Sequence, residues 1–122
     1  MEIKRDRYLN LLISKKHSGL IKVITGMRRC GKSYLLFTLF KDYLLSEGIE
    51  KSHIIEIAFD AYENKQYRDP DVLYPYLKEK IKDDGMYYVL LDEVQLLGEF
   101  EALLNSLTRT INVDVQVTGS NA

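Results

Sequence analysis

Apolar positions recur along this chain in two rhythms that alternate from end to end. Tyr8, Leu9, Leu12 and Ile13 fall at helical spacing after Asp6, and Gly19 is placed to end that helix. Residues 20–25 form a short, nearly continuous apolar run, the pattern of a strand buried on both faces. A helix is predicted over about 32–46, with Leu35, Leu36, Leu39, Phe40, Tyr43 and Leu44 inward and Gly48 as its stop. Residues 53–59 read as a second strand, followed by a polar loop over 60–69. A helix is predicted around 71–82, its regular part confined by Pro70 and Pro75, because proline suits only a first turn. Asp83-Asp84-Gly85 reads as a turn, 86–91 as a third strand and about 99–110 as a helix. Val113-Asp114-Val115-Gln116-Val117 alternates as a fourth strand.

Strands separated by helical segments of this length imply an α/β fold: a parallel sheet with helices on both faces. No linker-like or repetitive stretch divides the 122 residues, so the chain reads as one domain or part of one. Charge adds little, since 17 Lys+Arg nearly balance 18 Asp+Glu. Nucleic acid is not indicated as a partner, because no basic run is long enough to line a groove. The apolar run at 86–91 is far short of the ~20 residues that span a bilayer, so no membrane is expected. The single cysteine, Cys30, suits a reducing cytoplasm. His17 and His53 have no metal-ligand partners at suitable spacing.

The chemistry begins at Gly26-Met27-Arg28-Arg29-Cys30-Gly31-Lys32-Ser33. This Gly-x-x-x-x-Gly-Lys-Ser string directly follows an apolar strand and opens a helix, the setting of a phosphate-binding loop. Its glycines let successive N–H groups curl inward at phosphate oxygens, and the helix start adds unpaired N–H groups. Lys32 is the residue to reach the outer phosphates, and the Ser33 hydroxyl is a ligand for Mg²⁺. Residues 26–34, Tyr34 included, are the candidate nucleotide contacts. Arg28 and Arg29 read either as charge clamps or as loop-tip side chains in solvent; Cys30 reads as a reactive thiol or a small filler.

A second constellation lies where the 86–91 run ends in Asp92-Glu93, with the phosphate loop on a neighbouring strand. A carboxylate at a strand tip holds the metal and the next one polarises an attacking water, which makes Asp92 the metal-side residue and Glu93 the general base. The third is Val117-Thr118-Gly119-Ser120-Asn121, whose Ser120 or Asn121 is placed to contact the terminal phosphate or the water. Asn64-Lys65-Gln66-Tyr67 ends in tyrosine where a guanine-reading Asn-Lys-x-Asp needs aspartate, which favours ATP over GTP.

These segments together resemble the AAA+-type ATPases of bacteria and archaea, in the additional-strand, catalytic-glutamate branch of P-loop proteins. The likeness runs through Arg7-Tyr8-Leu9 to Leu12, Thr25 to Ser33, Leu91-Asp92-Glu93-Val94-Gln95 and Thr118-Gly119-Ser120-Asn121-Ala122. It implies Walker A at the loop, Walker B at Asp92 and Glu93, and a sensor-like residue at Ser120 or Asn121. Arg7 and Tyr8 become weak adenine-side candidates. Gln95 becomes either a neighbour of the γ-phosphate or a helix-start cap. Such proteins run to several hundred residues, so residues 1–122 are expected to be an incomplete core, cut after the fourth strand. The lid, an arginine finger and a C-terminal partner domain have no counterpart in these residues. In that fold a fifth strand flanks the first; without it the 20–25 strand is expected at a sheet edge, open to self-association.

The functional expectation is Mg²⁺-dependent ATP binding and hydrolysis, yielding ADP and driving a change in the missing domain. Two other readings stay open: a small-molecule kinase, and a nucleotide-responsive interaction module in which Tyr62, Tyr67, Tyr74 and Tyr76 form a contact surface.

Overall fold

The computed structural model describes residues 33–110 and 112–119, together with the backbone of 22–24. The expected helix after Asp6 lies outside these residues. Four parallel strands, β1 (Lys22–Ile24), β2 (Ile54–Ala58), β3 (Tyr87–Asp92) and β4 (Val113–Thr118), form one sheet in the order β1-β4-β3-β2. The register sets Ile24 beside Thr118, Leu91 beside Val117 and Ala58 beside Asp92, so the strand ends lie together on one rim.

That order corrects one expectation. The acidic strand β3 is not the neighbour of the loop strand β1, because β4 lies between them. Parallel strands need crossovers, and a crossover is free to pass over a strand position that a later segment fills.

Of the helix predicted over 32–46, the described residues 33–46 are helical throughout but not uniform. A π-helical stretch, Leu35–Phe40, runs directly into α1 (Lys41–Ser46). Leu35, Leu36, Phe40 and Leu44 are fully buried, packing on Ile54, Tyr88 and Leu90 of the sheet. The wider π turn suits the five-residue step from Leu35 to Phe40. Gly48 ends the segment at φ 89°, where Ile49 N–H bonds back to the Leu44 carbonyl at 3.1 Å.

The other sheet face buries Ile55, Ile57, Val89, Leu91, Val115 and Val117 under α2 (Pro70–Lys80) and α3 (Phe100–Thr108). Leu73, Leu77, Leu103, Leu104 and Leu107 are the helical half of this core. Helices therefore cover both faces, as the pattern predicted.

Three local expectations change. The polar loop over 60–69 contains a 3₁₀ helix, Tyr62–Arg68, tied to the end of β2 by Arg68 Nε–H to the Phe59 carbonyl (2.8 Å) and Asn64 Nδ2–H to the Ala58 carbonyl (3.1 Å). Helix α2 begins as predicted, with Asp69 capping Asp71 N–H at 3.0 Å and Pro70 in the first turn, but it continues through Pro75 to Lys80. Pro75 takes away the amide that would bond the Asp71 carbonyl. Burial of Leu73 and Leu77 on either side holds the helix despite that loss. Finally, the alternation in β4 does not separate core from solvent, since Asp114 and Gln116 are both fully buried. They lie in register with Tyr88 and Leu90 on the face covered by the 35–46 helix. Gln116 Nε2–H donates to Asp114 Oδ2 at 3.0 Å.

Candidate functional site

The C-terminal ends of parallel strands are where an α/β sheet leaves a crevice, and the polar residues of this chain gather there. Asp92 is the last residue of β3 and only 1% exposed. A carboxylate so deeply buried needs donors, and two hydroxyls supply them. Ser33 Oγ–H donates to Asp92 Oδ2 at 2.5 Å, and Thr118 Oγ1–H donates to Asp92 Oδ1. Thr118 in turn accepts the Glu93 amide at 3.0 Å. The start of the 33–46 helix, the tip of β3 and the tip of β4 are thus joined through one carboxylate.

Glu93 is 3% exposed and adopts a left-handed conformation, φ 58° and ψ 51°. A non-glycine residue there costs about 1–3 kcal/mol and persists only where its surroundings hold it. Its amide is held by Thr118, its carbonyl accepts Leu96 N–H at 3.1 Å, and its carboxylate accepts Gln95 Nε2–H at 2.7 Å. The 3₁₀ turn Val94–Leu96 that supplies these last contacts leaves β3 at an angle an extended chain could not take. The strain therefore turns the chain at the rim and sets the two carboxylates of Asp92 and Glu93 in different surroundings.

Of the residues singled out from sequence, Ser33, Asp92 and Glu93 are brought together. Tyr34 follows Ser33 with 43% of its surface exposed. Residues 26–32, with Lys32 among them, and Ser120 and Asn121 lie outside the described residues, as do Arg7 and Tyr8. The backbone fixes one relation: β1, the strand leading into the Gly-rich stretch, ends with Ile24 opposite Thr118.

Two residues carry more of the site than the sequence reading gave them. Thr118, two residues before Ser120, bridges Asp92 and Glu93. The signal was available, since Asp114, Gln116 and Thr118 share one strand face and Asp92 shares that face on β3. Gln95 lies within the 3₁₀ turn, and its amide donates to Glu93.

The donor set fits a small hard cation. Mg²⁺ typically takes one or two protein oxygens and leaves its other positions to water and phosphate. A serine hydroxyl and a buried carboxylate within 2.5 Å of each other match that demand. No cluster of three or more His, Cys, Asp or Glu residues among the described residues offers an all-protein cage. No described helix is long and apolar enough to cross a membrane.

The tyrosines of the third reading divide. Tyr67 and Tyr76 meet in a tilted ring pair with centroids 4.6 Å apart, whereas Tyr62 stands 81% exposed beside Lys65.

Comparison with known proteins agrees with this geometry. A family model described as an AAA domain matches residues 18–122. An uncharacterized protein of Haemophilus influenzae is 36% identical over 121 residues, covering 98% of this chain and 30% of that protein. An uncharacterized protein of Methanocaldococcus jannaschii is 28% identical over 124 residues, covering 98% of this chain and 24% of that protein. The chain thus spans less than a third of either relative. No solved structure matches it.

Proposed function

The chain belongs to the AAA-domain family, and on that premise we propose that it binds ATP with Mg²⁺ at the rim formed by β1, β4 and β3 and hydrolyses it. The observation that carries the reading is the buried Asp92 held between the Ser33 and Thr118 hydroxyls, with Glu93 next to it.

In this reading the amides of residues 26–32 wrap the polyphosphate, and Lys32 neutralises its outer oxygens. Ser33 and Asp92 would hold Mg²⁺, which when bound offsets charge on the phosphate oxygens. Thr118 fixes the Asp92 carboxylate so that one oxygen faces Ser33. Glu93 takes the proton of the attacking water, and Gln95 orients its carboxylate. Asn121 is assigned to the terminal phosphate. Residues 1–122 form the core of the ATPase, and the far greater length of both relatives supports a further domain that responds to turnover. A cytoplasmic location belongs to the same reading.

Phosphate release under single-turnover conditions tests it. Glu93→Gln should slow release at least ~100-fold, within the usual range for a general base, while ATP affinity stays near that of the wild type. Equal and appreciable rates in both proteins would remove Glu93 from the role and with it the hydrolytic mechanism.

A further inference from the structure

The end of the sheet opposite this rim holds a second recess. A cavity of about 460 Å³ lies against the entrance of β2, between the 3₁₀ turn Lys51–His53 and the last turn of α2. Its lining includes Ile54, Ile55 and Glu56, three consecutive residues of strand β2. Among the described strands β2 is an outer one.

The hydrogen bonding of β2 identifies which peptide groups face outward. Phe59 N–H donates inward to the Asp92 carbonyl at 3.0 Å. Bonding alternates along a parallel strand, so residues 55 and 57 also face β3, and residues 54, 56 and 58 face the open side. Two contacts agree: the Ala58 carbonyl accepts from Asn64 and Ala61, and Ile54 N–H bonds to the Lys51 carbonyl, all outside the sheet. The Glu56 N–H and C=O therefore point out of the edge into the recess. Among the described residues, none bonds to either group.

Charge around the recess is one-sided. Lys51, Lys80 and Lys82 line it, and none forms an ion pair with a described residue. The acids in the lining are engaged. Glu56 pairs with Lys41 at 2.8 Å, and Asp83 accepts Gly85 N–H at 2.8 Å and lies 3.6 Å from His53 Nε2. At its base the His53 ring stacks on buried Tyr87, with ring centroids 4.1 Å apart and planes 6° apart.

We propose that this recess is a docking site for an extended acidic peptide segment of a partner protein, which adds alongside β2 through the Glu56 peptide groups and places its carboxylates on Lys51, Lys80 and Lys82. Strand addition requires an open edge with a paired donor and acceptor, and the lysines select the charge of what is added. The chain's own residues 1–21 carry the wrong sign for this place, with Lys4, Arg5, Arg7, Lys15 and Lys16 against Glu2 and Asp6. The site is remote from the Ser33–Asp92 cluster and does not rest on the assignment of ATP.

Fluorescence anisotropy with a labelled alternating Glu–Val peptide tests the proposal, with an alternating Lys–Val peptide as the opposite charge. The acidic peptide should bind and the basic one should not. Reversing Lys51, Lys80 and Lys82 to Glu together should weaken the acidic peptide at least ~10-fold, in line with several exposed charge contacts. Glu56→Pro removes the outward donor, and proline is tolerated on an outer strand where its missing N–H faces away from the sheet; it should abolish binding while circular dichroism stays unchanged. The same peptide N-methylated at alternate amides should also fail. Binding that survives N-methylation, or that millimolar inorganic phosphate displaces as well as the peptide does, would mean a simple anion site and overturn strand addition. Absence of binding at millimolar peptide overturns it too. Self-association of the wild type in sedimentation, relieved by Glu56→Pro, would assign the edge to a second copy of this chain and contradict the peptide assignment.

Discussion

Thr118 holds two groups that would otherwise be buried without this donor and acceptor, the Asp92 carboxylate and the Glu93 amide. Replacement by valine keeps the shape and removes both bonds. Leaving buried polar groups unpaired costs about 1–3 kcal/mol, so Thr118→Val should lower the unfolding free energy read from denaturant melts by that much, and Thr118→Ser should recover most of it. A valine variant as stable as the wild type would show that Thr118 holds nothing. Tyr88 offers a different test. Burial, then the nearby Asp114 and Tyr43, push its phenol up to about 12 from the ordinary 10. The folded state keeps this proton when the unfolded chain has already lost it. Stability should therefore be unaffected below pH 10 and fall by about 2–3 kcal/mol between pH 10 and 12. Urea melts across that window should show the fall in the wild type and a smaller one in Tyr88→Phe. Parallel curves would contradict the burial of an un-ionised phenol. Ser33, Asp92 and Glu93 were legible from sequence because a strand–loop–helix setting and a strand-end acid pair constrain them. Thr118 carries a signal only in the pairing of β3 with β4, and the contact that Gln95 makes is set by a turn no motif marks.

Helix α2 shows where sequence rules meet packing. Proline inside a helix costs about 3 kcal/mol, yet α2 runs through Pro75 because Leu73 and Leu77 bury on the core. Pro75→Ala restores the amide for the Asp71 carbonyl but frees the unfolded chain, which gives back up to about 1 kcal/mol. The net expectation is a stabilisation of about 1–2 kcal/mol, read as a raised melting temperature. A lower one would mean that the proline kink itself fits the core. The same contest explains the misread elements. Residues 62–68 have no helical apolar period and were assigned to a loop, but side-chain bonds from Asn64 and Arg68 fold them onto the end of β2. In β4, alternation of valine with Asp114 and Gln116 imitates a half-exposed strand, while the real strand lies inside the sheet with both faces covered. Existence and type of the longer elements were readable, since periodicity governs them; strand order was not, because nothing local encodes which strand a crossover skips.

At the scale of the molecule, the order β1-β4-β3-β2 brings the end of the loop strand against Thr118 and the acid pair one strand further on. Three segments distant in sequence thereby converge on one rim. In the described sheet β1 and β2 are the outer strands, and they serve different ends in this account. β1 leads into the Gly-rich stretch, and β2 is proposed to receive a peptide. The central claim concerns the rim: a nucleotide held by residues 26–33, with its metal between Ser33 and Asp92. Titration calorimetry of ATP into the folded chain, with and without Mg²⁺, tests it most directly. The account predicts uptake that Mg²⁺ strengthens, and an Asp92→Asn protein that retains the metal-free binding but loses the strengthening. Heat that never departs from dilution at millimolar ATP, in protein whose circular dichroism shows the α/β fold, would contradict it.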